Sequence, residues 1–363
     1  MALNTSAPVE RTVTSPRFTF IDALRGIAAL WVATFHFYGG VSEGFLRHTF
    51  PQPFHGFFAH GNSGVEIFFV ISGFVIAYSI RGKRITLGYF GQFMLRRSLR
   101  LEPPYWVTIA LAIAMLWLSN HLRHDRVAAL PGWQQILAHL FYLQGILHKG
   151  QIVDVFWTLC IEVQFYVTLL LLVAIAQRCG DSRTSRLLVL LPLTLVSLAI
   201  QTGLLPEPGP WMFKFWYLFQ LGVLGYWAVA KLVRHVDFLA YAALLVVVLG
   251  WHFSIPASIG LVTGVAIYLA GRWNRLTTLD HAPLQYLGRR SYSLYLVHPV
   301  LGVPFTYFVA QHFFARPLSI GAGALCMSLA IVASLFAAEA LYRLVEAPSL
   351  RFSRSLRRKA PAH

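Results

Sequence analysis

Ten apolar runs follow one another along the chain, each of roughly the 17 to 25 residues that a helix needs to cross a bilayer. They lie at about 20–40, 61–80, 101–119, 154–176, 187–205, 211–230, 236–253, 255–271, 290–313 and 318–342. A shorter apolar stretch at 134–148 fits an interfacial or re-entrant helix better than a span. This pattern predicts an all-α, polytopic membrane protein with about ten transmembrane helices. The opening segment is polar and contains prolines, and the first apolar run carries charges with no small-residue cleavage site after it, so it reads as a retained helix and not as a signal peptide. No repeat of 20 to 50 residues and no long linker divides the chain. The expected organisation is an N-terminal segment at 1–18, one membrane domain at 19–345 and a basic tail at 346–363.

Composition agrees: 57% of the 363 residues are hydrophobic, 15% aromatic and 12% charged, which excludes an ordinary soluble domain. A net charge of +16 would suit nucleic acid if it formed one basic face on a soluble fold. Here the basic residues sit in short loops between apolar runs, so they are topology signals and no nucleic-acid partner is expected. Ten spans place both termini on one side of the membrane. With the N-terminus inside, 23 of the 30 lysines and arginines fall in cytoplasmic segments and five outside, leaving Arg25 and Lys214 within spans. Cytoplasmic termini and a multi-pass location in the inner (plasma) membrane follow. Cys160, Cys179 and Cys326 make an odd set with no pairing pattern and no metal-ligand spacing.

The first span, "IDALRGIAALWVATFHF", keeps Asp22, Arg25 and His36 among apolar residues. Ionisable groups at bilayer depth cost about 2.5 to 3.5 kcal/mol each on insertion scales, and they normally face a protein interior or a watery cavity. Eleven residues separate Arg25 from His36, so the two lie about 20° apart around the helix and about 16 Å apart along it. They share one face, Arg25 toward the cytoplasm and His36 in the outer half. The second span, "GVEIFFVISGFVI", runs the opposite way and places Glu66 level with His36, where a carboxylate would raise the basicity of an imidazole and fix its tautomer. The loop after it ends in "RRSLRLEPPYW", with Arg97 and Arg100 at i and i+3 before a proline-marked helix entry. Together with Arg25 they form a cytoplasmic cationic cluster whose planar forks suit phosphate oxygens. A polyphosphate head and a long thin arm reaching a base about 16 Å deeper describe coenzyme A.

On these motifs the chain resembles acyltransferase family 3, integral membrane proteins that O-acylate cell-surface polysaccharides and some small molecules. The resemblance spans nearly the whole chain and rests on six phrases in order: "LRGIAALWVATFH", "GVEIFFVISGF", the Arg97–Arg100 pair with "PPYW", "WTLCIEVQFY", "SYSLYLVHP" and "YRLVEAP". It implies an acyl-CoA donor, acetyl-CoA foremost, used from the cytoplasmic side, with His36 catalytic and Arg25, Arg97 and Arg100 at the donor site. Glu66 stands where many members have Asp, which keeps the charge. Some members carry a C-terminal extracytoplasmic hydrolase-like domain, which this sequence does not include. The expectation is therefore direct acylation of a polysaccharide or lipid-linked oligosaccharide, or delivery to a separate periplasmic acyl-transfer partner.

Other residues carry two readings each. Glu162, inside the fourth span, lines the acceptor site or pairs with Lys214. His298 lines the pocket or is a hydrogen-bonded core histidine at the Pro299 kink. Trp157 and Tyr166 stack on a sugar or belong to the interfacial belt. Glu339 and Glu346 are expected to pair with Arg343. His121 and His124 have helical metal-like spacing without a third ligand, so no metal site is expected. Two other functions stay open: a secondary transporter, which also buries charges beside a cavity, and an O-acyltransferase of a small secondary metabolite.

Overall fold

The computed structural model describes residues 18–39, 46, 49–52, 54–122, 128–314 and 318–358. All regular structure among them is helical: α1 (Thr19–Tyr38), α2 (Phe54–Ala59), α3 (Gly64–Ser79), α4 (Leu87–Leu122), α5 (Trp133–Leu140), α6 (Trp157–Arg178) and α7 (Arg183–Gln201). Then come α8 (Trp216–Val229), α9 (His235–Trp251), α10 (Ile255–Arg272), α11 (Ala282–Val297), α12 (Val303–Phe313), α13 (Ile320–Leu341) and α14 (Ala347–Arg358). Among the described residues, eight helical segments are long and apolar enough to cross a membrane. The remaining two expected spans are helices of 14 and 17 residues, α8 and α9. Helix α8 is short because it is a core element: every residue from Trp216 to Ala228 is buried, as expected of a helix that is apolar all round.

Two helix pairs set the bundle. Within a bilayer there is little hydrophobic drive between apolar helices, so close association depends on small residues that let backbones approach. Helices α3 and α8 meet at reciprocal glycines: a methyl group on Gly73 would lie 2.0 Å from the Phe219 carbonyl oxygen, and one on Gly222 would lie 2.0 Å from that of Val70. Helices α1 and α11 meet the same way, Gly26 against the Gly288 backbone and Gly288 against the Asp22 backbone. These contacts hold the Arg25 face of α1 beside α11, and they fix α3 in the centre.

Three elements differ from the sequence expectation. The double proline at Pro103 and Pro104 does not start a helix but lies inside α4, a 36-residue helix. Arg97 and Arg100 thus stand mid-helix and not in a loop, their i,i+3 spacing holding them on one face. The stretch at 134–148 is the short helix α5 followed by turns, with left-handed backbone at Tyr142 and His148. Residues 347–358, expected as part of a tail, form α14, which packs on α4 with the Ser353 hydroxyl donating to the Arg96 carbonyl at 2.8 Å. The segment 1–17, and with it His124, Arg11, Arg17, Arg47, Arg123, Arg126, Arg316 and Lys359, lies outside the described residues.

Candidate active site

Arg25 comes from α1 and Arg97 and Arg100 from α4, and all three face one cavity. Helix periodicity shapes its walls. On α3 the lining residues include Val65, Phe68, Ser72 and Ile76, one stripe of a helix covering about 16 Å of rise. On α6 they include Thr158, Glu162 and Tyr166, at successive i,i+4 steps. The cavity therefore runs along the helices, arginines at one end and Val65, Thr158 and Tyr295 at the other. At the arginine end, the Arg97 guanidinium lies 5.1 Å from the centre of the Tyr166 ring and 5.5 Å from that of Phe93, a cation–π arrangement that orients the fork. Glu162 sits midway and accepts a hydrogen bond from the Ser72 hydroxyl.

His36 occupies the last turn of α1, which Gly39 ends in a left-handed conformation while its N–H bonds the His36 carbonyl. Its ring does not line the cavity. It lies behind the far wall, where Tyr295 packs between Phe68, 5.7 Å away by ring centres, and His298, 5.9 Å away. Thr158 and Tyr295 share a hydroxyl–hydroxyl bond of 2.8 Å at that wall. His36 Nδ1 is 2.9 Å from the Val32 carbonyl oxygen and 3.2 Å from His298 Nε2. His298 is 0% exposed, and its Nδ1 is 3.1 Å from the Leu294 carbonyl oxygen.

The sequence-derived site is thus partly assembled and partly rearranged. Arg25, Arg97, Arg100, Glu162 and Tyr166 meet in one cavity. Glu66 makes no hydrogen bond or ion pair with His36 among the described residues, and its Oε2 is buried without a partner. The reason is the entry of α3. Helix α2 folds back over α1, with the Trp31 indole N–H donating to the Phe57 carbonyl at 2.9 Å. The chain then enters α3 beside Ala28 and Val32, one to two turns below His36, and turns Glu66 toward Gly260 of α10. The carboxylate in electrostatic reach of His36 is the exposed Asp154. Trp157 also stays off the cavity: it is the first residue of α6, 37% exposed, with its ring 5.4 Å from that of Phe215. His298 is the hydrogen-bonded core histidine of the two readings.

The Lys214 alternative for Glu162 is excluded, because Lys214 pairs with Glu207. Glu339 does bind Arg343 and also takes the Arg290 guanidinium. Glu346 does not pair with Arg343: a π-helical turn at Tyr342–Glu346 rotates it inward, where it is 4% exposed, accepts from Ser293 at 2.6 Å and lies in electrostatic reach of Arg25 and Arg100. Ser72, Tyr295 and Glu346 are the contributors that sequence reasoning passed over or left undistinguished. A detectable signal did exist for Glu346 and His298, since each is followed within two residues by a proline, where the helical register is readily disturbed.

Two curated relatives align over most of the chain. One is the "Putative peptidoglycan O-acetyltransferase YrhL" of Bacillus subtilis (strain 168), 25% identical over an alignment of 326 positions that covers 77% of this chain and 48% of that protein. The other is "Acyltransferase MdmB" of Streptomyces mycarofaciens, 26% identical over an alignment of 328 positions that covers 80% of this chain and 81% of that protein. The chain thus spans about half the length of the Bacillus relative. No solved structure matches it. A family model described as an acyltransferase domain matches residues 18–338, and on that match the chain belongs to acyltransferase family 3.

Proposed function

We propose that this chain is a membrane O-acyltransferase. It would carry an acyl group, acetyl foremost, from cytoplasmic acyl-CoA to a hydroxyl of a cell-envelope or exported polysaccharide, working in the inner (plasma) membrane. The observation that carries this reading is the convergence of three arginines on one end of a cavity that runs about 16 Å toward the wall in front of His36. The arginines suit the donor's phosphates, since guanidinium forks bond phosphate bidentately and stay charged when buried. The stretch from Val65 to Ile76, apolar apart from Ser72 and the facing Glu162, suits an extended arm. Behind the wall at the far end, His36 Nε2 is the free ring nitrogen, as Nδ1 is occupied by a carbonyl.

In the chemical step, His36 Nε2 takes the proton of the acceptor hydroxyl as its oxygen attacks the thioester carbonyl. A C–O bond forms, the C–S bond breaks, and the departing thiolate takes the proton back from the imidazolium. Holding the donor at its phosphates supplies position, which is the larger share of catalysis when two substrates must meet. Direct attack and an acyl-His36 intermediate use the same residues; labelled protein after a pulse of donor without acceptor identifies the second. Family membership and the cavity's charge pattern favour transfer over carriage. Purified protein with labelled acetyl-CoA and an oligosaccharide acceptor tests the proposal: covalent label on the acceptor is the expected result, and uptake into proteoliposomes without transfer would replace it with a carrier.

A further inference from the structure

We infer that His298 is a positioning residue for His36, a buried neutral acceptor that orients the catalytic imidazole and stabilises its cation. The inference rests on the reading above of His36 as the base.

The hydrogen-bond directions carry the argument. A carbonyl oxygen only accepts, so His298 Nδ1, 3.1 Å from the Leu294 carbonyl, is the protonated nitrogen of that ring. Its Nε2 is then an acceptor. His36 Nδ1 faces two acceptors, the Val32 carbonyl at 2.9 Å and His298 Nε2 at 3.2 Å, so it carries the proton and shares it between them. His36 Nε2 is left as the lone pair, without a hydrogen-bond partner among the described residues. When Nε2 takes a proton from the acceptor hydroxyl, Nδ1–H becomes the N–H of a cation and both of its bonds strengthen.

The choice of an imidazole at this place follows from burial. A carboxylate in the same position, 0% exposed, would lose most of its hydration, a cost that pairing with one transient charge does not repay. A neutral ring gives the acceptor without that cost. The setting also holds the ring still: the π-helical turn His298–Gly302 begins at it, and the rings of Phe37 and Tyr295 stand 6.2 and 5.9 Å from it. The Leu294 bond prevents a tautomer flip.

Two substitutions test this. His298→Leu keeps an apolar core side chain without an acceptor, and His298→Gln keeps an amide oxygen that can reach the place of Nε2. Each is purified in detergent and measured for kcat, for the KM of acetyl-CoA and for thermal stability, beside His36→Ala. The expected result is a fall in kcat of about tenfold to a hundredfold for His298→Leu, with the donor KM within about twofold, and recovery of most of kcat in His298→Gln. Equal losses in the Leu and Gln variants that track lowered thermal stability would show a packing role only and overturn the inference, as would parental kcat in His298→Leu with His36→Ala inactive. Parental kcat in His36→Ala would instead remove the base on which the inference rests.

Discussion

The two ends of the α1 face are built on different principles. At Arg25 the site is a set of permanent charges: three guanidiniums from two helices line a cavity, with Glu162 midway along it and Glu346 in electrostatic reach. On the proposed reading a long-range field would draw the donor's phosphates in and the planar guanidinium forks would then bind them. At His36 the site is a set of directions. Three ring nitrogens, two backbone carbonyls and a π-turn determine which lone pair is free. On the proposed reading the first end would hold the donor and the second would react, and errors of about an ångström would be felt most at the second.

The substitution that breaks both ends together is at the helix contact they share. Gly222→Leu would drive a side chain into the Val70 backbone, 2.0 Å from where its first carbon must sit. Backbone cannot move aside as a side-chain tip can, so the α3–α8 pair separates at a cost of about 3 kcal/mol or more. The expected outcome is loss of a monodisperse species in detergent size-exclusion chromatography, and of donor binding and transfer with it. Wild-type elution with full binding would mean that the α3–α8 approach does not hold the cavity.

His36→Ala separates the ends. It removes the reacting nitrogen and leaves the arginine cavity, whose lining does not include His36, as it was. Transfer should fall by about 10²- to 10⁴-fold, while acetyl-CoA binding, measured by calorimetry on the solubilised protein, stays within about threefold. Turnover near the parental rate would remove His36 from the chemistry.

The reverse separation comes from Arg100→Lys. Charge is kept and the planar fork is lost, so donor affinity should drop by about tenfold if the phosphate contact is bidentate, with kcat at saturating donor little changed. Unchanged affinity would mean that Arg100 serves topology alone.

These two ends also mark what could be read from the chain alone. The arginine end was legible because it needs only period and sign: Arg25 stands eleven residues from His36, Arg97 stands three from Arg100, and helix geometry does the rest. Its place in mid-helix was not legible, because Pro103 and Pro104 normally signal a boundary, and α4 runs through them. The histidine end was half legible. His36 could be found as an expensive polar group in a span, but its partner could not, since the level at which α3 starts depends on how α2 folds back through Trp31 and Phe57. A pairing across helices is a tertiary fact, and the 29 residues between His36 and Glu66 leave its depth free. His298 carried the right chemistry in the sequence, yet the inward turn that aims it arises from a π-helical register that no periodicity displays.

The smallest expected effect settles which partner His36 uses. If Glu66 set its basicity, removing the negative charge would cost most of the activity. The structure gives Glu66 no partner for Oε2 and turns it toward Gly260. A carboxylate buried without a bond is costly in its charged form, and a neutral amide of the same shape relieves that cost. Glu66→Gln should therefore keep kcat within about threefold and leave stability equal or slightly raised, by up to about 1 kcal/mol. Glu66→Asp, which shortens the side chain and keeps the charge, should gain nothing over it. The measurement is kcat for both variants beside His298→Leu at the same acceptor concentration. A collapse in Glu66→Gln that Glu66→Asp escapes would restore the carboxylate as the partner of His36 and would require α3 to slide toward the outer end of α1 during turnover.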